Sequence, residues 1–239
     1  MTKGFFVAFE GPDGSGKTSI INQLKEKLAE SSIPVAYTRE PGGSPIAEQI
    51  RQVLLAVENT AMDYRAEALL LAASRRQHLV ETILPNLDQG KLVVSDRFVM
   101  SSLAYQGMAR GIGIDKVWQI NQFAIEDHLP DLTILIDVPA EVGLERIYQA
   151  RGKRQFDRLD REALEFHQRV RQTYLDLAKN WQESWFLMVR KALRRLVKNV
   201  IVFCVSRELL VIRRNKYEII SSHCARSRPT DFRESFSRE

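Results

Sequence analysis

The residues with the most chemical content stand early in the chain, in Gly11-Pro12-Asp13-Gly14-Ser15-Gly16-Lys17-Thr18. The segment meets every fixed position of the pattern G-x-x-x-x-G-K-S/T, in which glycines let backbone N–H groups converge on a polyphosphate without side chains in the way. Lys17 then reaches the β and γ phosphates, and the Thr18 hydroxyl ligates Mg2+. Such a loop works only between a strand and a helix whose N-terminus adds partial positive charge to the same anion. The expected ligand is a nucleoside triphosphate; what accepts its phosphoryl group must be read from other polar clusters.

Three clusters are candidates. Thr38-Arg39-Glu40-Pro41-Gly42-Gly43 closes an apolar run from Val35, and Ser95-Asp96-Arg97 closes another from Leu92. An acid after such a strand can orient Mg2+ through water, and Arg97 can hold a phosphate by a bidentate contact. Ser101 to Gly107, read as a loop, supplies hydroxyls, an amide and a phenol. For Arg51, Arg75 and Arg76, spacing alone favours ordinary solvated helix residues. Asp96 and Asp137 also sit where helix caps belong, and capping is the expectation for Asp137. His78, His128 and His167 have no metal-ligand spacing and read as packing or surface residues.

To position these clusters the chain must alternate strands and helices. Strands are expected at Phe5 to Glu10, Val35 to Thr38, Leu92 to Ser95 and Leu132 to Asp137. Helices are expected at Lys17 to Ser31, Ile46 to Val57, Tyr64 to Leu87, Ile114 to His128, Ala140 to Ala150 and Arg161 to Asn180. The pattern predicts an α/β fold of the P-loop NTPase type, a three-layer sandwich with a mainly parallel sheet flanked by helices. With 239 residues, 44% of them apolar, the chain can bury a sizeable core and is neither disordered nor collagenous. Its two cysteines, Cys204 and Cys224, both come late, so no disulfide framework holds the first 200 residues. No apolar run approaches the ~20 residues of a bilayer-spanning helix. The short run Phe5 to Phe9 leads straight into the Gly-rich loop rather than serving as a signal peptide, and a cytoplasmic location is expected.

The net charge of +5 is unevenly spread. From Trp181 onward there are 13 Lys+Arg against 6 Asp+Glu, whereas residues 1–180 carry 22 against 24. A main body near neutrality does not read as a nucleic-acid surface. The division drawn from this is 1–180 as a P-loop unit and 181–239 as an atypical basic segment, with an unpacked appendage as one possibility. Within the segment Trp181 to Lys198 reads as a basic amphipathic helix and Val200 to Val205 as a strand.

Taken with the P-loop, several segments resemble the thymidylate kinase family in its bacterial, nucleoside monophosphate kinase-like form. They are Phe9 to Thr18, Thr38 to Gly43, Asp96-Arg97, Ser101 to Gly107, Pro130-Asp131-Leu132-Thr133 and Arg158-Leu159-Asp160, in the expected order over residues 4 to 180. The resemblance implies transfer of the γ-phosphoryl group of ATP to dTMP, giving dTDP, with Mg2+ held by Thr18 and Asp96 and with Lys17 on the donor. It implies that Asp13 contacts the 3'-hydroxyl of dTMP, that Arg97 and Arg39 surround its phosphate, and that Arg51 and Arg75 enclose the nucleotide, Arg75 bonding the thymine. It further implies that Ser102 and Gln106 read the base edge and that Tyr105 crowds the 2' position. A homodimer through helices is implied, with no nucleic-acid or membrane partner. Two positions depart from the family: Leu71 stands where an aromatic usually stacks on thymine, and Gly14 where one branch carries an arginine.

The missing charge points to Arg151-Gly152-Lys153-Arg154-Gln155-Phe156-Asp157-Arg158, which resembles the family's lid. Arg158, then Arg154, are expected on the transferring phosphate. Two other readings stay open at this point. One is another P-loop nucleoside or nucleotide kinase; the other is a nucleotide-dependent binding module whose basic tail contacts an anionic partner.

Overall fold

A computed structural model of the chain describes residues 4–150, 162–180, 185–189 and 218–220. Strand β1 (Phe5–Glu10) lies at the centre of a six-stranded sheet with β2 (Val35–Arg39), β3 (Leu92–Asp96), β4 (Leu132–Ile136), β5 (Trp185–Val189) and β6 (Glu218–Ile220), in the order β2-β3-β1-β4-β5-β6. The first five are parallel and only β6 runs against its neighbour. A parallel sheet is covered on both faces, and the alternation along β1, β3 and β4 shows how. Phe6 and Ala8, with Val93 and Leu135, face one core that holds Leu79, Phe98, Leu103, Val117, Val170 and Tyr174. Val7 and Phe9, with Val94 and Ile134, face the other, filled by Ile20, Leu24 and Leu28 of α1 (Lys17–Ala29).

Among the described residues the remaining α-helices are α2 (Pro45–Leu55), α3 (Tyr64–His78), α4 (Leu84–Asp88), α5 (Val99–Ser102), α6 (Ile114–Ile125), α7 (Ala140–Gln149) and α8 (Leu164–Asn180). Expectation and structure part in three places. The single helix expected from Tyr64 to Leu87 is interrupted by a π-helical turn at Leu79–Ile83. Pro85 has no N–H to offer the carbonyl four residues back and its ring would clash there, so the turn before it widens. Ser101 to Gly107 is not a loop: α5 runs into a π-helical segment, Leu103–Ala109, whose Leu103, Ala104, Tyr105 and Gln106 are buried. Trp185–Val189, expected within a helix, is a strand that adds to β4. Five consecutive apolar residues lack the polar positions an amphipathic helix needs and suit a strand of a parallel sheet. The strand expected at Val200 to Val205 lies outside the described residues.

Parallel pairing brings the carboxyl ends of β1, β2 and β3 into line, with Phe9 opposite Asp96 and Arg39 opposite Asp96 on the other side. The connection after β1 runs to one side of the sheet and β4 adds on the other, so the crevice opens at the end of β1, where ligands of such sheets bind.

Candidate active site

The loop from Gly11 to Thr18 leaves β1 and opens α1, as its chemistry requires. Lys17 folds back on it, its Nζ donating to the carbonyls of Gly11 and Pro12 at 2.9 Å each and to Ser15 Oγ at 3.4 Å. Burial, then the nearby charge of Arg97, lowers the Lys17 ammonium to about 8, against the partial pull of Asp96, Asp13 and Glu10. Thr18 Oγ1 donates to Asp96 Oδ2 at 2.8 Å, which ties the start of α1 to the end of β3. The two hard oxygens fit Mg2+, which takes one or two protein oxygens and completes its shell with phosphates and water. Among the described residues no group of three or more His, Cys, Asp or Glu side chains gathers around a common point, so an all-protein metal cage is not present there.

One cleft of about 470 Å3 collects nearly all the expected residues: Asp13, Gly14, Gly16, Lys17 and Thr18 from the loop, Arg39, Arg51, Leu71, Arg75, Asp96, Arg97, Ser102, Tyr105 and Gln106 from elsewhere. Gly11, Pro12 and Ser15 act from behind through Lys17. Arg151, Lys153, Arg154 and Arg158 lie outside the described residues.

Arg97 joins the two halves. Its backbone sits at φ 78°, a region that costs an L residue of order 1–3 kcal/mol unless its surroundings hold it there. Its guanidinium donates to Gly11 O at 3.0 Å, Ser101 Oγ at 3.1 Å and Tyr174 Oη at 3.3 Å, and from the other nitrogen to Asp13 Oδ1. Tyr105 Oη donates to the second Asp13 oxygen at 2.7 Å. Burial raises the Asp13 carboxyl, but the charges of Arg97 and Lys17, the Tyr105 hydrogen bond and the field of His167 outweigh it and bring it down to about 2. Arg39 pairs with Glu48 at 3.0 Å, and Arg51 donates to Pro41 O at 2.7 Å.

Arg75 is no solvated residue. It is 2% exposed, and donates to Glu40 at 2.7 Å, Ser102 Oγ at 3.0 Å, Phe98 O at 3.1 Å and Asn121 Oδ1. Glu40 also meets His78 Nδ1 at 3.1 Å, and His78 Nε2 meets Thr38 Oγ1 at 2.6 Å, so the expected packing histidine is a buried, doubly bonded one. Glu67, Leu71 and Arg75 recur at i, i+4 and i+8, which sets them on one stripe of α3. Asp137 does not cap α7; both its oxygens hold Arg171 of α8, at 2.7 and 3.1 Å.

Several site residues escaped sequence reasoning. Glu10, at the end of β1, accepts from the Phe98 and Ser101 amides, Ser101 Oγ and Tyr174 Oη at 2.7–3.3 Å. Burial raises its carboxyl, and those donors and Arg97 pull it back. The ring of Tyr174 packs in the core, and only the fold brings its hydroxyl to Arg97. Arg146 of α7 reaches Gly14 O at 3.1 Å on the cleft wall. His167 is buried on α8, and its Nε2 has no hydrogen-bond partner among the described residues.

This arrangement sets an anion cradle and a second polar pocket end to end, with cations between them. The family model described as thymidylate kinase matches residues 9–201. A thymidylate kinase of Leuconostoc mesenteroides is 55% identical over 188 residues, 77% of this chain and 86% of that protein. One of Latilactobacillus sakei is 59% identical over 177 residues, 74% of this chain and 82% of that protein. The crystal structure of thymidylate kinase from Ehrlichia chaffeensis superposes with a TM-score of 0.67 at 34% identity, covering 83% of this chain and 99% of that one.

Proposed function

Because the chain belongs to the thymidylate kinase family and transfers the γ-phosphoryl group of ATP to dTMP, giving dTDP, we propose a division of labour for its cleft. The loop from Gly11 to Thr18 takes the triphosphate, with the Lys17 ammonium leaving the Gly11 and Pro12 carbonyls for the β and γ phosphates. Thr18 and Asp96 hold Mg2+, which neutralises phosphate charge when bound. Asp13 and Tyr105 take the sugar of dTMP, Asp13 at the 3'-hydroxyl and Tyr105 against a 2' substituent. Arg97 and Arg39 take its phosphate. Leu71 gives the base an apolar face without stacking, Arg51 and Arg75 enclose the nucleotide, and Ser102 and Gln106 meet its edge. Arg158, with Arg154 second, supplies charge to the transferring group.

The observation that carries this reading is the position of Arg97, bonded to the loop carbonyl of Gly11 and to Asp13 and within 5.2 Å of the Tyr105 ring centroid. Two phosphate-bearing ligands meeting there repel each other unless such a cation lies between them. Isothermal titration tests the division. Asp13→Asn should weaken dTMP by about tenfold, the scale of one unpaired buried polar group, and leave ATP affinity within about threefold. An equal loss for both ligands contradicts it.

We also propose a homodimer. Phe123 on α6 is 89% exposed and Leu69 on α3 is 56% exposed, and such apolar surface on packed helices favours self-association. A cytoplasmic location accords with a nucleotide substrate, and no helix among the described residues is long and apolar enough to cross a membrane. Charge and motif content change at Asn180, while strand pairing crosses that point at β5.

A further inference from the structure

One buried carboxylate behind the cleft wall, bonded to the wall residue Gln106, is used by no step above. Glu67 of α3 is 1% exposed, and its Oε1 accepts from Gln106 Nε2 at 2.6 Å. Arg110 stands 3.5 Å from each of its oxygens. Arg110 is itself fixed: Glu162 holds it at 2.7 Å, and the rings of Tyr64 and Phe166 cover its guanidinium at 4.6 and 4.9 Å. The carboxylate beside Gln106 is therefore braced from behind and has little freedom to move.

A carboxylate accepts hydrogen bonds and an amide both donates and accepts, so the partner decides which way the amide turns. Gln106 must give its NH2 to Glu67. Its carbonyl oxygen is left without a partner among the described residues, on a cleft wall it shares with Arg75 and Ser102. That wall presents a guanidinium, which only donates, beside a carbonyl, which only accepts. The thymine edge is the complement, with an acceptor at O4 and a donor at N3–H. Cytosine reverses both, with an amino group at C4 and a lone pair at N3.

We propose that Glu67 is a specificity-determining positioning residue: it fixes the Gln106 amide with its oxygen toward the base, so that the acceptor nucleotide must carry an N3–H. The inference rests on the reading of Gln106 as a base contact given above. An amide released from Glu67 can turn over and offer NH2 to the N3 of cytosine, so the discrimination belongs to the pair and not to Gln106 alone.

The test compares kcat/KM for dTMP, dUMP and dCMP in the wild type, Glu67→Gln and Gln106→Ala. Glutamine at 67 keeps the shape but can both donate and accept. The dTMP to dCMP ratio should fall about tenfold or more in Glu67→Gln, with dUMP, which shares the thymine edge, moving with dTMP. The ratio does not depend on the fraction of active protein. An unchanged ratio in Glu67→Gln beside a changed one in Gln106→Ala overturns the role of Glu67 and leaves the base contact standing. No change in either variant removes the base contact and the inference with it. An equal loss for all three nucleotides in Glu67→Gln marks a merely structural residue and also overturns the proposal. Where Glu67→Gln does not fold, Glu67→Asp keeps the charge beside Arg110 but withdraws it from Gln106, and the same outcomes decide.

Discussion

Gly14 and Gly143 meet backbone to backbone: a Cβ on Gly14 would lie 2.7 Å from the Gly143 Cα, and one on Gly143 would lie 2.5 Å from the Asp13 carbonyl oxygen. Gly14 also sits at φ +69°, where side chains are strained. The phosphate loop is thus seated directly on α7, and position 14 has no room for a side chain. In the function proposed above, charge for the transferring phosphoryl group comes instead from the segment ending in Arg158.

Two variants follow from that contact. Gly143→Ala should push the loop off α7 and weaken ATP by about tenfold, with a loss of about 5 °C in Tm. Arg158→Ala should cut kcat far more than it weakens dTMP, and adding Gly14→Arg to it should restore nothing. Recovery of kcat in the double variant, by steady-state kinetics, would show that position 14 can host the missing cation.

The Lys17 ammonium, held near 8 by burial, predicts an alkaline limb. In the free protein it loses its charge as pH rises through about 8, so kcat/KM for ATP should fall about tenfold per pH unit beyond that point. Bound phosphates raise the group again, so kcat at saturating ATP should hold to higher pH. The same depression makes stability rise with pH between about 8 and the unperturbed 10.5, because in that window the unfolded chain holds the proton and the folded one has released it. A pH-rate profile for kcat/KM that stays flat to pH 9.5 would contradict the assignment.

The Asp13 carboxyl, brought down to about 2 chiefly by Arg97 and Lys17 against the cost of burial, predicts the opposite limb. A carboxylate depressed on folding adds stability above its unfolded value of 3.8 and loses it as pH falls through about 2. The stability difference between wild type and Asp13→Asn should therefore shrink by about 2 kcal/mol between pH 5 and pH 2. Urea titrations at both ends measure it, and a difference independent of pH would mean that Asp13 is not so held.

Much of this was legible before folding. The P-loop announces itself because its chemistry needs fixed residues at fixed spacing, and Asp96 and Arg97 follow an apolar strand whose end had to lie at the ligand edge. Arg75 was ambiguous, since helical spacing says nothing of what a guanidinium meets across 27 residues to Ser102 or 46 to Asn121. Glu10 and Tyr174 were harder still, being 164 residues apart and each explicable as strand or core. The Ser101 to Gly107 stretch misled because its polar side chains suggested a loop. They are polar because they face a ligand cleft and a buried carboxylate, while Val99, Leu103 and Ala104 pack beneath.

Tyr174 supplies the test of those unread contacts. Tyr174→Phe keeps the ring in the core but takes one donor from the buried Glu10 carboxylate and one partner from Arg97. It should destabilise the fold by about 1–3 kcal/mol and lower kcat/KM for dTMP. Wild-type stability in thermal melts would place the hydroxyl outside the network.

The central claim is that a triphosphate on the Lys17 loop and a deoxynucleotide between Asp13, Arg97 and Gln106 meet end to end. The direct measurement is product formation by the purified full chain with ATP, Mg2+ and each of dTMP, dUMP, dCMP and thymidine. The expected result is ADP and dTDP in equal amounts, with dTMP the best acceptor. Folded protein that binds ATP yet forms no dTDP, or that prefers dCMP or thymidine, would contradict it.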